Sequence, residues 1–201
     1  MQGEAIAPDF ESIFLILKNA NWQDCLASSL ASLNNFWNKN WVGLPKVIEK
    51  LLTWLQDEEA LAKTNLSEDA SLMLDIALHV ADLIEREALE NKGLVDHPYH
   101  NRLHFAQVVT SVGIEYAIQV KDCPDESGEW LACLLVSAIG HDYKHTGNVN
   151  SMPMELEMLS IQALLPIFIQ FGLSDKWVKV ITQVILSTDI PTSRAVHARV
   201  K

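Results

Sequence analysis

Cysteine, positive charge and long unbroken hydrophobic runs are all scarce in this chain, and each shortage removes a class of protein. Cys25, Cys123 and Cys133 are the only cysteines in 201 residues, an odd and widely spaced set with no CxxC pair. Neither a disulfide framework nor a cysteine zinc site is expected, and a reducing cytosol is the simplest setting. Fifteen Lys and Arg stand against 26 Asp and Glu, a formal net charge of −11 with a pI near 5.0. No basic stripe is available for a nucleic-acid backbone, so nucleic acid is excluded as a partner, and an anionic substrate would depend on bound cations. The N-terminal Met1-Gln2-Gly3-Glu4-Ala5 lacks the basic and apolar regions of an ordinary signal peptide. The apolar stretch Gly128 to Ile139 is interrupted by Glu129 and falls short of the roughly 20 residues needed to cross a bilayer. A cytoplasmic protein with no membrane partner is expected. Internal repeats, low-complexity tracts and sustained strand alternation are missing as well.

What the chain does contain is helical periodicity in nearly every apolar segment. With 49% hydrophobic residues it has enough apolar surface for one core. The expectation is a single all-α domain over residues 1–201. Phe10 to Leu17 and Gln23 to Trp37 open the helical reading, and Pro45 suits the first turn of a helix through Leu55. Asn65-Leu66-Ser67-Glu68 reads as the start of a long helix, in which Leu72, Ile76, Val80, Leu83 and Ile84 share one face. Gly93 ends it. The polar loop Lys121 to Gly128 precedes the apolar run Leu131 to Ile139, and Glu155–Phe171 and Ser174–Ser187 supply the last two helices. Tryptophans 22, 37, 41, 54, 130 and 177 are read as core or interface packing. Met152, Met154 and Met158 are read as core filling, and His79 as structural or solvated.

Four of the seven histidines fall in two clusters, each at the edge of an apolar helix. His100 and His104 are spaced i, i+4, which stacks both rings on one helix face. His141 and His145 repeat that spacing, with Asp142 beside them as a carboxylate able to bridge two cations. Two helices would thus each offer a histidine pair. Imidazole with carboxylate suits zinc, manganese, iron or magnesium. One such cluster alone is commonly a packing accident; two together point to a metal site.

Pro98-Tyr99-His100-Asn101 with His104 resembles the Tyr-His-Asn-x-x-His motif of the class I cyclic nucleotide phosphodiesterases, a branch of the HD-domain metal phosphohydrolases. His141 to Met152 resembles that family's His-Asp-x-x-His-x-Gly-x-x-Asn pattern at every specified position, and Ser187-Thr188-Asp189-Ile190 is similar to its Ala-Thr-Asp-Met segment. The resemblance implies a compact multi-helix HD-type bundle over residues 66–201, with residues 1–60 as a helical appendage. It implies that His104, His141 and Asp142 ligate a tightly held ion and that Asp142 reaches a second, more hydrated one. Zinc with magnesium or manganese is the expected pair, with iron as an alternative. A bridging hydroxide would attack a 3′,5′-cyclic nucleotide, His100 would act as general acid toward the departing O3′, and His145 would hold water or phosphate. Glu157, Thr188, Asp189 and Asn101 would support this site from outside the ligand set.

The chain also departs from the family. Gln107 replaces an aspartate, Phe105 an alanine and His97 an asparagine. Only the run from Ile190 to Lys201 follows Asp189, so neither the family's later aspartate ligand nor its base pocket has a counterpart, and the HD-like region is expected to be short at its C-terminal end. Asp189 is set aside as a substitute ligand because an aspartate at a helix end before Pro191 is ordinarily a solvated turn residue. Three readings stay open: a cyclic nucleotide phosphodiesterase, a catalytically incomplete binding or regulatory module, and an HD-type enzyme of another phosphate ester or of di-iron oxygen chemistry.

Overall fold

The computed structural model describes residues 35, 37–57, 60–61, 66–90, 101–120, 127–145, 148 and 150–189. These fold as an all-α bundle. Beyond helical residues 35 and 37–39, six helices run in order: α1 Leu44–Asp57, α2 Glu68–Glu90, α3 Arg102–Gln119, α4 Glu129–Gly140, α5 Glu155–Phe171 and α6 Asp175–Leu186. The expected helices at Phe10–Leu17 and Gln23–Trp37, His100, and the segment after Asp189 lie largely or wholly outside the described residues. None of the helices that are described is long and apolar enough to cross a membrane.

The apolar run noted in the sequence becomes the central helix. After Glu129, α4 carries no charged side chain, and Leu131, Ala132, Cys133, Leu135, Val136 and Ile139 are all fully buried. A helix apolar on all sides must be surrounded, and α4 packs on α2, α3, α5 and α6. Its neighbours are amphipathic. On α2, Ile76, Val80 and Ile84 are buried as the periodicity predicts, with Leu72 and Leu83 partly buried beside them. Helix α1 lies within the expected appendage, yet it packs on α2 and α3 and contributes Val47, Ile48, Leu51 and Leu55 to the same core.

Local chemistry sets the helix ends. The Ser67 hydroxyl accepts from Ala70 N at 3.1 Å, and Glu68 and Asp69 follow in the first turn, where the helix dipole favours negative charge. Pro45 sits in the first turn of α1, where its missing N–H costs no bond. Gly172, at φ 74, closes α5, and its N–H donates to Ile169 and Phe168 carbonyls. One partly buried carboxylate ties three pieces together. Glu85 of α2 accepts from Trp41 Nε1 at 2.9 Å, from Leu44 N at 3.0 Å and from Arg102 at 2.7 Å, so the starts of α1 and α3 share an anchor.

Two methionines depart from their expected surroundings. Met152 and Met158 are exposed rather than core-filling, because they lie on the outer side of the loop and helix that enclose the site. Trp130 is 57% exposed, stacked edge-on against buried Trp177, and His79 packs against Phe171.

Candidate metal centre

Two elements deliver three donor groups to one point. Asn101 caps α3 by accepting a hydrogen bond from His104 N at 3.0 Å, so His104 occupies the first turn of that helix. His141 follows Gly140 at the end of α4, and Asp142 is the next residue. Around that point, His104 Nε2 and His141 Nε2 lie 3.3 Å apart. Asp142 Oδ2 lies 3.2 Å from the first nitrogen and 3.0 Å from the second. Two ligands of one ion, at bond lengths of about 2.0–2.1 Å, stand roughly 2.9–3.4 Å apart between octahedral and tetrahedral angles. All three separations fall in that range, and two imidazoles with a carboxylate form a donor set for a divalent transition ion. The residues therefore fit such an ion.

The proton inventory agrees. His141 Nδ1 lies 2.8 Å from the Ala138 carbonyl, which can only accept, so Nδ1 carries the hydrogen and neutral His141 points the lone pair of Nε2 into the site. That lone pair faces a carboxylate oxygen at 3.0 Å, an acceptor against an acceptor that needs a positive charge between them. A proton can supply it. Burial pushes the His141 pKa down, but the hydrogen bond and charge of Asp142, with the Ala138 carbonyl and Glu157, outweigh burial and raise it. A divalent ion satisfies the same requirement.

The sequence expectation of a second helical histidine pair is not met. Helix α4 ends at Gly140, and residues 141–144 form a turn in which Tyr143 N donates to Gly140 O and His145 N to Asp142 O. Lys144 adopts a left-handed conformation (φ 65) and pairs with Glu87 of α2. His145 still reaches the site, but by way of this turn. It lines a cavity of about 590 Å³ together with His104, His141, Asp142, Asn148 and Asn150. Val108, Val112, Leu134 and Val184 form an aliphatic wall of the same cavity, contributed by α3, α4 and α6.

Glu157, Thr188 and Asp189 line this cavity too. Asp189 is not the solvated turn residue its position suggests. It is 4% exposed, with Oδ1 accepting from Asn150 Nδ2 and Oδ2 from Met154 N, both at 3.3 Å. Burial follows because Asp189 closes the loop before α5, where Met154 is held at φ 61. Thr188 turns its hydroxyl to the Ile185 carbonyl at 2.7 Å. Asn101 acts on the site through the cap of α3.

Asn150 is the residue to which sequence reasoning assigned no role. Its carboxamide nitrogen donates to Glu157 Oε2 at 2.9 Å as well as to Asp189, and its oxygen accepts from Leu156 N at 2.8 Å. One side chain thus separates two carboxylates and fixes the start of α5. The signal available was its place as the closing asparagine of the His141 motif. Phe105, one of the departures from the family pattern, is buried with its ring 6.0 Å from that of His141. Among the described residues, His104, His141 and Asp142 are the one set of His, Cys, Asp or Glu side chains whose donor atoms converge. The chain matches no protein-family model, no curated protein and no solved structure.

Proposed function

We propose that the chain is a metal-dependent phosphodiester hydrolase acting on 3′,5′-cyclic nucleotides and releasing 5′-nucleotides. The observation that carries this reading is the convergence of His104 Nε2, His141 Nε2 and Asp142 Oδ2 at 3.0–3.3 Å on the wall of a cavity large enough for a mononucleotide. A bound divalent ion supplies Lewis acidity toward phosphoryl oxygens and lowers the pKa of coordinated water. The chain's own part is to hold and orient. His141 is kept in one tautomer by Ala138, and Asp142 offers a second carboxylate oxygen toward another cation. His145 and Asn148 line the substrate volume, as do Glu157 and Asp189, which both accept from Asn150. His100 is assigned the proton delivered to the departing O3′, on the motif it shares with His104.

The test couples metal content with turnover. Elemental mass spectrometry of the purified chain should find zinc, manganese or iron, and His141→Ala should abolish it. Hydrolysis of cyclic AMP and cyclic GMP, followed by ³¹P NMR, should require the metal. His100→Ala should stop turnover while metal stays bound. Metal binding without turnover of either nucleotide would sink the hydrolase reading and leave a metal-holding binding module, and a parent chain free of metal would sink both.

A further inference from the structure

The outer face of α5 combines exposure with a lack of charge. From Met158 to Phe171 the helix carries no Asp, Glu, Lys or Arg, in a protein whose net charge is −11. Its inner side is seated in the bundle through Ile161, Leu164, Ile167 and Phe168. On the outer side Met158 is 42% exposed, Leu165 37% and Ile169 78%, with Gln162 also exposed among them. These four are spaced 4, 3 and 4 residues apart, the hydrophobic spacing of a two-helix seam. Leu159 and Pro166, also exposed, flank the seam one position further round the helix. Depletion of charge around apolar side chains marks the core of an interface rather than ordinary surface.

We propose that this face pairs with the same face of a second copy of the chain, with the two α5 helices antiparallel about a two-fold axis. A 4, 3, 4 spacing reads the same in both directions, so reversing one helix matches the two seams layer for layer. Met158 then meets the partner's Ile169, and Gln162 the partner's Leu165. Pro166 supplies no N–H to the Gln162 carbonyl, which leaves an acceptor one turn away for the partner's Gln162 carboxamide. Charge selects the face. Two copies carrying −11 each repel over most approaches, and this uncharged strip lets them meet without opposing carboxylates. One helix stripe buries about half of the roughly 800 Å² per partner typical of a stable complex, so the dimer is weak, with a dissociation constant of about tens of micromolar.

Sedimentation equilibrium of the full chain, from about 5 to about 500 µM, tests this. The average mass should climb from 22.5 kDa toward twice that value. Raising the salt concentration should tighten the association, because it screens repulsion between like-charged copies. Ile169→Glu or Leu165→Glu, checked by circular dichroism to be folded, should weaken dimerisation at least tenfold. The pair Met158→Cys with Ile169→Cys should form an intermolecular disulfide, whereas Ile169→Cys alone should not. A chain that stays monomeric throughout, including one whose face binds another protein or lipid vesicles instead, overturns the proposal. So does a dimer indifferent to both glutamate substitutions, or one cross-linked equally well by the single cysteine.

Discussion

Asp142 and Asn150 are separated in function by charge, and isosteric exchanges show it. Asp142→Asn keeps the shape but removes the anion that two imidazole nitrogens face, so zinc affinity, measured by titration calorimetry, should fall at least about 100-fold. Asn150→Asp does the reverse. It replaces the NH₂ group between Glu157 and Asp189 with an oxygen and sets three carboxylates together. Denaturant unfolding should show a loss of about 2–4 kcal/mol at neutral pH, and part of that loss should be recovered as pH falls and one carboxyl gains a proton to donate. Cys133 offers a further residue-scale check. Burial in α4 pushes its thiol pKa up to about 11 from an ordinary 9.0, against a smaller lowering by Ser137. The unfolded chain therefore ionises first, and this residue's contribution to stability should decline as pH rises from 9 toward 11. Cys133→Ala should flatten that part of the stability profile, and alkylation mapped by mass spectrometry should leave Cys133 unmodified until the protein unfolds.

Among the elements, the α4–α5 crossing depends on a missing side chain. A Cβ on Gly140 would stand 2.7 Å from Leu164 Cδ1, and Leu164 is itself fully buried. Gly140→Ala gains helix propensity of up to about 1 kcal/mol but overpacks the crossing by about 1–3 kcal/mol. The net expectation is a loss of about 1 kcal/mol in thermal unfolding, with weaker metal binding because His141 is the next residue. Glu85 makes the corresponding point on the α3 side of the donor site. Glu85→Ala removes the partly buried carboxylate from Arg102 and frees the starts of α1 and α3, two residues before His104. Destabilisation of about 3 kcal/mol is expected in denaturant titration. Element boundaries were partly legible in advance. Helix α5 spans Glu155–Phe171 as its periodicity indicated, and α6 runs between Ser174 and Ser187, since caps and apolar spacing are local properties. The helical continuation from His141 to His145 was misread because i, i+4 spacing says nothing about where a helix stops. The stop at Gly140 comes with a left-handed Lys144 held by Glu87, a residue of another helix.

For the molecule as a whole, binding of the proposed ion would be linked to folding. The donors come from α3 and from the turn after α4, so an ion bound to the native state alone stabilises the whole bundle. At a hundredfold excess over its dissociation constant the gain is about 2.7 kcal/mol, and zinc addition should raise the melting temperature of the parent chain but not of His141→Ala. By itself, the sequence determined that the chain is helical, that Leu131 to Ile139 is a continuous apolar run, and that His104, His141 and Asp142 are donors of compatible chemistry. Periodicity, composition and side-chain identity are carried along the chain and need no partner to be read. Only the tertiary structure decided that those donors stand 3.0–3.3 Å apart, that Asp189 is buried against Asn150, and that Met158, Leu165 and Ile169 face outward. Each of these depends on which helices pack together and at what distance. That choice arises from burial summed over the whole core, a quantity no local segment contains.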